Sequence, residues 1–176
     1  HENKGRSRAL GAIMKNASNE FVAIRFTETI KQVADLTKMN LEYLQSDTLY
    51  NELGHVLFNT IAPSGNSFGS FGDNTAITRR MLSEAFSDYI SLANAPSALI
   101  TFNRLAAFGK SHIPYLYSGF IFDQVIREFL KGEAITRETP PTLGELAKSL
   151  HNDKELDTRF RMLAVQVYQS NLLGKF

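Results

Sequence analysis

Residues Tyr50–Phe58 read YNELGHVLF and residues Leu82–Ser91 read LSEAFSDYIS, and these two stretches decide how the chain is read. In the first, Asn51 and His55 stand four apart. On a helix they share a face, with Glu52 about 100° further round. In the second, Glu84 and Asp88 have the same one-turn spacing. They alternate with Leu82, Phe86, Tyr89 and Ile90, so neither face of that helix is freely polar. By itself N-E-L-G-H says little, because E-x-x-H turns up on ordinary helices, and Glu84 with Asp88 could equally mark a solvated helix edge. Weight comes from having both.

The composition allows a packed domain. The chain has 176 residues, a 43% hydrophobic fraction and 13 Phe, enough for one sizeable core. Its 19 basic and 18 acidic residues leave a formal charge of +1 and form no basic run or stripe, so nucleic acid is not an expected partner. No apolar stretch is long enough to cross a bilayer. With no cysteine, disulfides and thiolate metal sites are excluded, and any metal must sit on His, Asp, Glu or Asn. That absence fits cytosol, periplasm or exterior equally. The chain opens on His1, which leaves room for an upstream signal, tag or domain.

Along the chain, residues 1–20 read as a polar lead-in and residues 21–176 as the domain. FVAIRF (21–26) is the best strand. From Ile30 the apolar spacing turns helical through Val33, Ala34, Leu41 and Leu44, and Asp47 reads as the N-cap of the helix that carries Glu52 and His55. The stretch PSGNSFGSFGDN (63–74), rich in glycine and serine, reads as a mobile surface loop open to cleavage at Phe68 or Phe71. Beyond it the pattern is helical: about Thr78 to Asn94 before Pro96, Ser97 to Gly109, and Pro114 to Gly132 with proline in and glycine out. Thr142 and Glu145 form a capping box, and a last helix follows Asp153 to near Gly174. The expected class is mainly α (α+β), with a small N-terminal β element.

The two stretches together resemble the gluzincin class of zinc metallopeptidases. Its active-site helix carries H-E-x-x-H, two histidines that bind zinc and a glutamate that activates the metal-bound water. A second helix carries E-x-x-x-D, whose glutamate is the third ligand and whose aspartate steadies the first histidine from behind. Arg104-Leu105 and the segment GKSHIPYLYSGFIFDQVIRE (109–128) extend the likeness, which covers roughly half the chain. The resemblance implies a zincin-like helical domain with Glu52 as general base, His55 and Glu84 as metal ligands, and Asp88 behind position 51. It gives His112, Tyr115 or Tyr117 as donors to the tetrahedral intermediate. It implies a peptide or protein as substrate or ligand, held between the site helix and a strand edge, with the Gly/Ser loop beside the cleft as a lid. It tilts the compartment, otherwise open, toward extracytoplasmic or secreted. Oligomeric state is not legible.

The departure from the pattern is Asn51, which stands where the first zinc ligand belongs. Asparagine keeps a donor in roughly the place of the imidazole Nδ1, aimed on this reading at Asp88, and loses the Nε2 that would meet the metal. Zinc is therefore expected to bind weakly or not at all, because catalytic zinc uses three protein ligands and a water. A metal completed by His112 or by the Asn51 oxygen is a further arrangement. Two functions follow: a zinc-dependent peptidase domain impaired at position 51, or a non-catalytic pseudopeptidase that binds a peptide or partner protein. Asn51 as a natural residue and Asn51 as a substitution that traps a substrate or zymogen both fit. The other histidines carry less: His1 is terminal, and for His151 a helix-end interaction with the dipole is the default explanation.

Overall fold

The computed structural model describes residues 10–18, 20–62, 68–132 and 140–176. Two antiparallel strands, β1 (Gly11–Lys15) and β2 (Phe21–Arg25), lead into α1 (Thr27–Thr37) and α2 (Leu41–Ile61). A short ribbon of β3 (Ser70–Phe71) and β4 (Thr75–Ala76) precedes α3 (Arg79–Asn94) and α4 (Leu99–Phe108). A 3-10 turn at Ile113–Tyr115 opens into α5 (Leu116–Gly132), followed by α6 (Leu143–Asn152) and α7 (Lys154–Leu172). The class is mainly α with small β elements, and no described helix is long and apolar enough to cross a membrane.

Local chemistry sets the helix ends. Lys38 turns left-handed at φ 57° and closes α1. Asn40 then caps α2, its side chain accepting from the Tyr43 N–H at 3.0 Å. Thr78 caps α3, Thr142 and Glu145 form the capping box of α6, and Asp153 accepts from the Glu155 and Leu156 N–H groups to start α7. The Asp47 reading needs correction. Asp47 lies in the middle of α2, 1% exposed, and is an internal ionic residue. An aspartate before an apolar run signals a cap only if the helix begins there, and Asn40 began it two turns earlier.

The lead-in is also corrected in part. Residues 11–15 pair with 21–25 in register, Met14 opposite Val22 and Gly11 opposite Arg25. GAIMK has too short a pattern to declare itself and becomes a strand because FVAIR supplies its hydrogen-bonding partner. Residues 1–9 lie outside the described residues, as do 63–67 in the Gly/Ser stretch. In the rest of that stretch Phe68 and Phe71 are half-buried and the residues around them exposed. The Phe68 N–H bonds the Ile77 carbonyl, and the Phe71 ring lies 5.3 Å from Tyr117 and 5.4 Å from Phe120. Aromatic contacts therefore hold the Phe71 ring in place although glycines flank it.

The main core is shared by α3, α4, α5, α6 and α7, with Phe102, Ile121, Val125, Phe160 and Tyr168 among its fully buried side chains. Ile30, Ala34, Leu44 and Ile100 make a smaller cluster that seats α1 on α2 and α4. At the centre, α2 and α3 cross at Gly54. A Cβ there would stand 2.5 Å from the Ser87 Cα, so only glycine permits the approach. Gly54→Ala should therefore lower stability by about 1–3 kcal/mol, although alanine in a free helix would be favoured by up to ~1 kcal/mol. A thermal melt that rises with this substitution would refute the close crossing.

Candidate functional site

The crossing of α2 and α3 brings the sequence-predicted residues together. His55 Nε2 lies 3.5 Å from Glu84 Oε2, and both side chains are mostly buried, 16% and 14% exposed. His55 Nδ1 lies 2.8 Å from Ser83 Oγ, which fixes the ring so that its other nitrogen faces Glu84. Glu52 stands beside them under β1, where a Cβ on Gly11 would be 2.6 Å from Glu52 Cγ. The strand backbone thus lies directly on the glutamate. Tyr115 faces the same cluster and feels the charges of Glu84, Asp88 and Glu52.

Behind these groups is a buried ionic knot. Arg104 on α4 donates to Asp47 Oδ2 at 3.0 Å and to Asp88 Oδ1 at 2.5 Å, tying α2 to α3. Thr101 donates to the other Asp47 oxygen at 2.7 Å. Ser118 on α5 donates to Asp88 Oδ2 at 2.6 Å and pairs with the Tyr168 hydroxyl on α7 at 2.7 Å. Both carboxylates are therefore satisfied despite being 1% and 0% exposed. Burial pulls the Arg104 guanidinium down, but Asp47 and Asp88 more than offset it and keep it charged. Burial pushes Asp88 up, and Arg104 and Ser118 pull it partway back.

The expected bond between Asn51 and Asp88 is absent. Asn51 Nδ2 donates to Ser87 Oγ at 3.1 Å instead. Both Asp88 oxygens are taken by Arg104 and Ser118, and Ser87, one residue earlier, is the nearer partner across the Gly54 crossing. His112 is exposed, its ring nitrogen 3.0 Å from Ser111 Oγ and its ring against Phe108 at 4.8 Å. Tyr117 points elsewhere and donates to the Asn171 carbonyl at 2.9 Å. Of the proposed oxyanion donors, only Tyr115 lies against the cluster.

Sequence reasoning missed the serines. Ser83, Ser87 and Ser91 lie one turn apart on α3 and meet His55, Asn51 and the Asp47 carbonyl in turn, at 2.8, 3.1 and 2.9 Å. The signal was S-x-x-x-S-x-x-x-S running through the E-x-x-x-D motif. It also treated Arg104 only as a sequence marker.

The titrating groups of the site are displaced by burial. Burial lowers the His55 imidazole to about 4, with Arg104 adding to the effect. Burial, then Asp88, pushes Glu84 up to about 7 against the pull of Arg104 and Arg80. Burial also raises Glu52, partly countered by Arg104. Between about pH 4 and pH 7 the His55–Glu84 contact is therefore a neutral imidazole against a protonated carboxyl, and not an ion pair. Two tetrahedral ligands each about 2.1 Å from a cation are about 3.4 Å apart, so this pair fits two corners of a zinc site. The third corner does not fit. Asn51 offers an amide, and among the described residues no three His, Cys, Asp or Glu side chains form a metal-holding group.

Against known protein families, curated proteins and solved structures, the chain finds no match.

Two outcomes test this geometry. Arg104→Met leaves Asp47 and Asp88 buried without their cation and should cost about 3–5 kcal/mol, read by denaturant unfolding. Loss under 1 kcal/mol would mean the carboxylates are solvated. For Glu84, a folded pKa above the unfolded value means its contribution is complete below about pH 4.5 and is lost as pH rises through about 7. Glu84→Gln should then stabilise the protein at pH 8 by about 2–3 kcal/mol, with the gain vanishing by pH 4.5. A pH-independent difference between the two proteins would contradict the burial of Glu84.

Proposed function

We propose that this chain is a domain of the gluzincin metallopeptidase plan that binds an extended peptide and, with asparagine at position 51, holds zinc too weakly for efficient hydrolysis. The observation that carries the reading is the 3.5 Å approach of His55 Nε2 to Glu84 Oε2, with Asn51 one turn before His55 on the same helix. The two motifs converge across the α2–α3 crossing, as that plan requires.

The β1–β2 hairpin suits the peptide. β1 stands at the edge of its two-stranded sheet, and its backbone lies on Glu52. A peptide added to that edge gains main-chain hydrogen bonds beside the site. Glu52, with its carboxyl raised by burial, suits the work of taking a proton from an attacking water. The Tyr115 hydroxyl, raised above its ordinary value by burial and by Glu84, stays protonated through the neutral range and can donate to a developing oxyanion. A zinc ion held by His55, Glu84 and a histidine at 51 would supply Lewis-acid polarisation of the scissile carbonyl and an activated water. Asn51 removes one ligand of that set and leaves the cleft. Binding without turnover is therefore the function favoured for the chain as it stands.

The test is metal and activity measurement on this chain beside Asn51→His. The substitution should tighten zinc by about 100-fold or more, because it restores a third protein ligand. Glu84 keeps its proton up to about pH 7, so zinc uptake should release protons below that pH and tighten as pH rises from 6 to 8. A casein-type assay should detect hydrolysis only in the Asn51→His protein. Equal and negligible zinc uptake by both forms in calorimetry would sink the zincin reading.

A further inference from the structure

The residue behind position 51 is a serine, and its hydrogen-bond polarity can be worked out. Ser87 Oγ lies 2.9 Å from the Glu84 carbonyl and 3.1 Å from Asn51 Nδ2. A hydroxyl has one hydrogen, and a carbonyl can only accept, so that hydrogen goes to Glu84. What Ser87 presents to residue 51 is then a lone pair. This fixes the Asn51 amide with its NH2 toward Ser87 and its oxygen turned away. The serine is 0% exposed and is pressed against Gly54, so it has little freedom to turn.

A lone pair at that point suits a histidine as well as it suits asparagine. An imidazole at 51 would donate Nδ1–H to Ser87 Oγ, and the neutral tautomer so selected has a bare Nε2, the form that ligates a metal. Asp88 does not meet residue 51 in this structure; its oxygens accept from Arg104 and Ser118, and the Asn51 amide goes to Ser87. We infer that Ser87 is the positioning residue for position 51, orienting asparagine in this chain and equally able to orient a ligating histidine. Ser83 Oγ lies 2.8 Å from His55 Nδ1, one turn away. Ser91, the third rung, bonds only the Asp47 backbone, and so bridges the helices without touching either residue of the site.

The inference deepens the metallopeptidase-plan reading, and two arms of one experiment separate their failures. In the first arm the chain as it exists is studied by NMR through the Asn51 side-chain amide. Ser87→Ala should shift the two Nδ2 protons and speed their exchange with water, whereas Ser91→Ala should leave them in place. An Asn51 amide unmoved by Ser87→Ala overturns the inference whatever the site binds. The second arm measures zinc affinity by chelator competition in Asn51→His, alone and with each serine variant. Ser87→Ala should weaken zinc about 10–100-fold, while Ser91→Ala, which removes a comparable buried helix-bridging hydroxyl, should lower the melting temperature and spare the affinity. Equal affinity losses in the two serine variants would make Ser87 a merely structural rung and overturn its positioning role. No zinc gain in Asn51→His itself would overturn the metallopeptidase reading, with the amide arm still deciding the part played by Ser87.

Discussion

The guanidinium of Arg104, held between Asp47 and Asp88, is the constraint on which the rest of this structure rests. Its three charged groups come from α2, α3 and α4, and Ser118 and Tyr168 carry the network on to α5 and α7. Two carboxylates this deep would be costly alone, since a buried ion without a partner costs several kcal/mol. Sharing one cation lets both stay inside while their helices are drawn to a fixed spacing. Their geometry also has consequences for the face above. Arg104 lowers His55 and Glu84 alike, yet burial and Asp88 still leave Glu84 near 7. The knot therefore sets where the site residues stand, while burial is the larger influence on which of them keeps a proton.

On top of that knot, close approach does the positioning. Gly54 lets α3 come against α2 with no side chain between them, and the serines of α3 then reach across to residues 55, 51 and 47. Hydroxyls are well suited to such a crossing because they are small enough for the gap and able both to donate and to accept. Asparagine suits position 51 because the group it meets is an acceptor, which an amide N–H satisfies. Asn51 therefore leaves no unpaired buried group at Ser87.

Much of the fold was legible. The caps at Thr78, Thr142 and Asp153 are local hydrogen bonds between residues two or three apart, and local pattern found them. Asp47 misled because its side chain answers to Arg104 fifty-seven positions away, and no local pattern records such a partner. The strand at Gly11–Lys15 was hidden for a similar reason, since its hydrogen bonds belong to its neighbour. Phe71 sits in a glycine-rich stretch that local rules read as loose, and contact with Tyr117 and Phe120 holds it.

For the site, the sequence by itself determined the chemical types and their helical faces. One-turn spacing places Asn51 with His55 and Glu84 with Asp88, and period alone licenses that. It also determined that position 51 carries an amide. Only the tertiary structure decided which residues meet across the helices. It brought His55 to Glu84, gave Asn51 to Ser87, and gave Asp88 to Arg104 and Ser118. The physical reason is that a helix's period fixes directions along its own axis, whereas partner choice depends on the rotation and depth of two packed helices. Here those were set by a missing side chain at Gly54 and a shared charge at Arg104, each meaningful only once α2 and α3 lie together.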